Sequence, residues 1–144
     1  MITVEKIQCE HLAALSELYE ELMGKHSHPD RLQDVYRMIE RDPNYYLLGA
    51  YEDNQLLGSL MGIVCYDLVE ACNPFMVIEN VIVSSRAQRK GVGQKLMTQI
   101  EQIARDRECS YIILVSGGQR KEAHLFYERM GYREEEVEGF RKHL

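Results

Sequence analysis

The sequence predicts an α/β (α+β) fold in a single domain, residues 1–144, with a mixed central β-sheet of six to seven strands flanked by about four helices. Three observations carry that prediction. Apolar residues recur along the whole chain in short runs of strand period separated by longer runs of helical period. At 144 residues, 45% of them hydrophobic, the chain can bury one sizeable core and is too short for two. Residues 78–102 join an apolar strand to an amphipathic helix through a basic turn that holds Gly91 and Gly93.

Taken in order, residues 2–7 alternate Ile2, Val4 and the stem of Lys6 with polar side chains, which gives a short, edge-like first strand. Leu12, Leu15, Leu18, Tyr19 and Leu22 recur at helical spacing up to Gly24, a helix-stopping residue. Residues 25–29 form a loop. Leu32, Val35, Tyr36 and Ile39 then mark a second helix that begins near Ser27 or His28 and ends before Pro43. Residues 45–52 and 55–66 read as a hairpin turned by Asp53 and Asn54, with Gly58 and Gly62 marking a bulge or a close backbone approach. After an irregular stretch at 68–74, a fourth strand covers 76–83. The helix beyond the glycine turn buries Val92, Leu96, Ile100, Ile103 and Ala104. Residues 111–115 have the length of a buried strand, Gly117 and Gly118 break it, and residues 123–130 start a last helix that Gly131 ends. Residues 132–137 and 140–144 read as two closing strands around Gly139.

Charge narrows the function. The net charge is −6, and apart from Glu134, Glu135 and Glu136 the two signs are interspersed, so adhesion to nucleic acid or to an anionic membrane is not expected. A small basic or amine-bearing partner suits the chain better. No apolar run approaches the ~20 residues of a membrane span, and the N-terminus lacks the basic and apolar regions of a secretory signal, so a cytoplasmic location is expected. Cys9, Cys65, Cys72 and Cys109 lack metal-site spacing and read as buried free thiols; no metal is expected.

The junction at 78–102 carries the chemistry. A helix start leaves unpaired N–H groups and a partial positive charge, which together suit a phosphate. Gly91 and Gly93 remove β-carbons that would hold a bulky anion off the backbone, and Arg86, Arg89 and Lys90 raise the local potential. Gln88-x-x-Gly91-x-Gly93 is therefore a candidate pyrophosphate cradle; the competing reading is an ordinary turn before a loosely capped helix. A Walker loop is excluded, because Gly93-Gln94-Lys95 does not end in Gly-Lys-Ser/Thr. A dinucleotide fingerprint is excluded because much of the chain precedes the turn.

The element order, with Q-x-x-G-x-G opening the third helix, resembles the GNAT superfamily of N-acetyltransferases. A second stretch strengthens the match: Ala123-His124-Leu125-Phe126-Tyr127-Glu128-Arg129-Met130-Gly131-Tyr132 is similar to that family's A-x-x-F-Y-E-x-x-G-F/Y segment. The resemblance implies a sheet splayed between its fourth and fifth strands, with acetyl-coenzyme A (acetyl-CoA) as cosubstrate. Carried onto this chain, Val81 and Val83 would offer main-chain groups to the pantetheine arm, while Gln88, Arg89, Lys90, Gly91, Val92, Gly93 and Gln94 would surround the phosphates. The Val81 N–H would polarise the thioester carbonyl, where negative charge grows.

Glu79 is the candidate base, since an amine must lose a proton before it can attack. Strand alternation puts it on the face of Val81, two residues on; the alternative is a glutamate paired to a core arginine or tyrosine. Tyr127 stands where the family places the tyrosine that protonates the departing thiolate and also touches the cofactor; the alternative is a core aromatic. The family often has Asn three residues before Ala123, where this chain has Arg120. The acceptor side is expected from residues 25–29, Tyr36, Tyr66 and residues 134–140, with His26 and His28 solvated. The resemblance thus implies an N-acetyltransferase acting on a primary amine, most simply of a small molecule. A protein N-terminus or lysine as acceptor, and an acyl-CoA sensor without turnover, are the rival readings. Domains of this family often pair as homodimers.

Overall fold

The computed structural model describes residues 1–116, 120–133 and 135–144, so Gly117, Gly118, Gln119 and Glu134 lie outside the described residues. The chain divides into two compact units, Met1–Ile113 and Leu114–Leu144.

In the first unit, β1 (Thr3–Lys6) leads through a 3₁₀ turn, Cys9–His11, into α1 (Leu12–Met23). Gly24 ends α1 at φ +77°, its N–H donating to Glu20 O at 2.7 Å. α2 (Pro29–Arg41) starts on His28, whose Nδ1 accepts the Arg31 N–H, which settles the capping residue. β2 (Tyr45–Glu52) and β3 (Gln55–Cys65) form the expected hairpin, with Asp53 and Asn54 both at positive φ as a two-residue primed turn requires. β4 (Phe75–Val83) follows, then α3 (Val92–Asp106) and β5 (Ile112–Leu114).

The strand order is β1-β2-β3-β4-β5. The first four are antiparallel neighbours. β5 enters alongside β4 in the same direction, with Ser110 N–H donating to Pro74 O and Met76 N–H to Tyr111 O, so the sheet is mixed. One face packs under α1 and α2 through Leu12, Leu15, Leu18, Tyr36, Leu47, Tyr51, Leu56 and Ile82. α3 covers the other face with Val92, Leu96, Met97, Ile100 and Ala104. Both strand glycines of β3 are close approaches to α3. A Cβ on Gly58 would lie 2.9 Å from Ile82 O and from Val92 Cγ1, and one on Gly62 would lie 2.6 Å from Ile100 Cδ1.

The second unit contains α4 (Lys121–Arg129), closed by Met130 and by Gly131 at φ +93°. The two closing strands expected at 132–137 and 140–144 do not form among the described residues, so the described sheet has five strands and not six or seven. Val137, Phe140 and Leu144 are exposed, so nothing apolar is buried there to offset the entropy of ordering two strands. The thiols also differ from expectation: all four are free, but Cys9 and Cys72 are exposed, on a surface turn and in the irregular β3–β4 loop.

Candidate functional site

β4 and the turn before α3 carry most of the singled-out residues. The β3–β4 ladder steps from Met61 opposite Glu79 to Ser59 opposite Ile82. Asn80 and Val81 therefore stand together against Leu60, with Asn80 at φ +57°. This is a β-bulge whose first residue occupies the left-handed region, which Asn tolerates better than most side chains.

The bulge turns the strand over. Ile78 lies opposite Gly62, on the face covered by α3, whereas Ile82 joins the core beneath α1 and α2. It also overturns the alternation argument for Glu79. Met61 and Ser59 share one face of β3, so their partners Glu79 and Ile82 share it too, and Val81 does not. Glu79 is exposed, and no described residue hydrogen-bonds or ion-pairs with it. The paired-glutamate alternative finds no partner among the described residues. Val81 and Val83 are half-buried.

Beyond Val83 the chain is rooted before it turns. Ser84 is fully buried, its N–H donates to Leu57 O at 2.8 Å, and its Oγ accepts the Arg86 N–H at the 3₁₀ turn Ser85–Ala87. The Gln88 side-chain amide donates to Val83 O at 3.0 Å and to Ser84 O at 3.4 Å, so Gln88 braces the turn against the end of β4. Arg89 at φ +66° and Gly91 at φ +77° then swing the backbone into α3.

Gly91 is the N-cap of α3, and no described side chain caps the helix. A Cβ at Gly91 would meet nothing within 4 Å, so the approach is open. Lys90 Nζ lies 3.5 Å from Glu52 Oε1, and Arg89 has no described partner. An uncapped helix start, an open approach and nearby cations suit a diphosphate. α1 touches this turn: Glu21 Oε1 accepts the Ser85 N–H at 2.9 Å.

In the second unit Tyr127 is the buried residue of α4, its ring edge-on to Phe126 and Tyr132 with centroids at 5.3 Å and 6.2 Å. No described residue hydrogen-bonds its hydroxyl. Burial pushes the phenol above its ordinary value, and the Arg120 cation opposes the shift only in part. The phenol is thus neutral at pH 7, the state an acid needs.

The expected acceptor residues separate. Tyr36 belongs to the core: its hydroxyl donates to Ile7 O at 2.8 Å, and burial together with Glu40 pushes its pKa up to about 12. Tyr66 is exposed and accepts from Asn44 Nδ2. His26 ion-pairs with Glu20, and His28 is occupied as a helix cap. Among the described residues no cluster of His, Cys, Asp and Glu could hold a metal ion. No helix is long and apolar enough to cross a membrane, again among the described residues. Sequence reasoning missed the bulge at Asn80, although two adjacent polar residues interrupting an otherwise apolar strand were the signal.

The acetyltransferase (GNAT) family profile matches residues 12–132. An aminoglycoside N(6')-acetyltransferase type 1 from Acinetobacter genomosp. 13 is 23% identical over 116 residues, which are 78% of this chain and 80% of that protein. A crystal structure of a transcriptional regulator from Bacillus halodurans C-125 superposes at a TM-score of 0.93 with 23% identity, covering 100% of both chains. The structure of AAC(6')-Iy in complex with the bisubstrate analog CoA-S-monomethyl-acetylneamine superposes at 0.81 with 18% identity, covering 100% of this chain and 99% of that one.

Proposed function

The chain belongs to the acetyltransferase (GNAT) family, and on that premise we propose that it is a single-domain N-acetyltransferase moving the acetyl group of acetyl-CoA to a primary amine of a small molecule, by direct attack in a ternary complex. The observation that carries the reading is the bulged end of β4, which runs from an exposed Glu79 to the start of α3, neither of them engaged by a described side chain. A CoA bisubstrate analog bound by the similar AAC(6')-Iy supports the choice of cosubstrate. The net charge of −6 favours a cationic acceptor.

Bound acetyl-CoA supplies the acetyl group as an activated thioester. The main-chain amides of Gly91, Val92, Gly93 and Gln94 bind its diphosphate, and Arg89 and Lys90 add positive charge. Gln88 acts through its brace on Val83 and Ser84. The Val81 N–H donates to the acyl oxygen. An alkylamine is almost wholly protonated at pH 7, so Glu79 takes its proton, directly or through a water. Nitrogen then bonds the acyl carbon, the carbon–sulfur bond breaks, and Tyr127 gives the thiolate a proton; the second proton leaving nitrogen restores the phenol.

The test is incubation with acetyl-CoA and a panel of ethanolamine, glucosamine, spermidine and an aminoglycoside, with acetylated product detected by mass. Mass is the better readout because Cys9 and Cys72 are exposed and would consume a thiol reagent. A product 42 Da heavier on any amine is the expected result. The similarity to a structure described as a transcriptional regulator favours one second reading, an acyl-CoA sensor. Acetyl-CoA binding with no product on any amine, peptide or lysine substrate selects it.

A further inference from the structure

We propose that Tyr19 is an acceptor-binding residue, its hydroxyl making a hydrogen bond to the incoming amine substrate on the Glu79 side of β4; the inference rests on the acetyltransferase reading. Three placements converge on it. Tyr19 lies in α1 one turn after Leu15 and packs against the core beneath α1 and α2, the face that holds Ile82 just past the bulge. Met61 packs against the same core, and Met61 is the cross-strand partner of Glu79. Two residues beyond Tyr19, Glu21 binds the Ser85 N–H, so the second half of α1 lies along the outgoing end of β4.

The chemistry of the hydroxyl singles Tyr19 out from the other tyrosines of this face. Tyr36 gives its proton to Ile7 O, and Tyr51 shares a hydrogen bond with His11 Nδ1 at 3.0 Å. Tyr19 has no described partner. Tyr19 is half-buried, so the residue is not sealed from solvent. Burial of the ring pushes its pKa up to about 12, which keeps the phenol neutral, able both to donate and to accept. A neutral hydroxyl that no described residue engages can exchange bound water for a hydrogen-bonding group of the substrate.

Tyr19→Phe tests this, because it keeps the ring and removes only the hydroxyl. With the panel amine of highest kcat/KM, the acceptor KM should rise about tenfold. The maximal rate, the acetyl-CoA KM and the pH–rate profile should stay within about twofold. The melting temperature should hold or rise, since no intramolecular bond is lost. An unchanged acceptor KM overturns the inference, as does a uniform loss of all parameters together with a lower melting temperature, the mark of a packing role. Wild-type protein that acetylates no amine overturns the acetyltransferase reading itself, an outcome the variant alone never produces.

Discussion

In the proposed reaction Glu79 and Tyr127 divide the proton traffic, and the surroundings of each within its own unit suit opposite tasks. Glu79 is exposed and has no described partner, so its carboxylate can reach a charged amine; Tyr127 is buried, so its phenol holds a proton until a stronger base needs it. Glu79→Gln should lower kcat about 10²-fold and flatten the acidic limb of the pH–rate curve, with acetyl-CoA binding by calorimetry unchanged. An intact acidic limb would move the base to a water or another residue. Tyr127→Phe preserves ring packing with Phe126 and Tyr132 and should reduce kcat about 10- to 10²-fold with little loss of acetyl-CoA affinity. Because burial raises the Tyr127 pKa, the wild-type rate should hold through pH 8 and 9 and fall only above the ordinary tyrosine range, a limb the variant lacks. Tyr127 was legible from the segment at 123–132, and Glu79 as an acid in an otherwise apolar strand two residues before Val81. The direction in which Glu79 points was not, because it depends on the ladder to β3.

The bulge in β4 is the element on which the proposed site is built. An extra residue between the pairs at Met61 and Ser59 turns the even-numbered side chains of β4 from the α3 face, where Ile78 lies, to the face beneath α1 and α2, where Ile82 lies, and leaves Asn80 and Val81 out of the regular ladder. Asn80→Gly should keep this geometry. Asn80→Val puts a β-branched side chain at φ +57° and should cost about 1–3 kcal/mol in denaturant unfolding, with a loss of activity larger than that of the Gly variant. Equal activity in the two variants would detach the bulge from function. The hairpin turn at Asp53 and Asn54, the Gly24 and Gly131 stops and the glycine-opened α3 were all written locally, in turn chemistry and helical period. The closing strands were misread because alternation alone cannot tell a paired strand from an extended segment that buries nothing.

For the molecule as a whole, alkaline stability follows from the core beneath α1 and α2. Tyr19, Tyr36 and Tyr51 each have a pKa pushed from 10.0 up to about 12, chiefly by burial. The folded state therefore holds these protons more tightly than the unfolded chain. Their contribution is fully present below pH 10, and stability should fall as pH rises from about 10 to 12. Circular dichroism against pH, with phenolate absorbance alongside, checks this: ionisation of all tyrosines near pH 10 without unfolding would contradict it. By itself, the sequence determined the family, the order of strands and helices as far as α4, and the glycine turn with its cations, because these rest on side-chain type and spacing between near neighbours. Only the tertiary structure decided that Glu79 shares a face with Ile82, that Gln88 braces β4, that Tyr36 is core and that no described residue pairs with the Tyr19 hydroxyl. Each of these depends on which distant segment lies opposite, and cross-strand register and helix packing are set by contacts that no local pattern records.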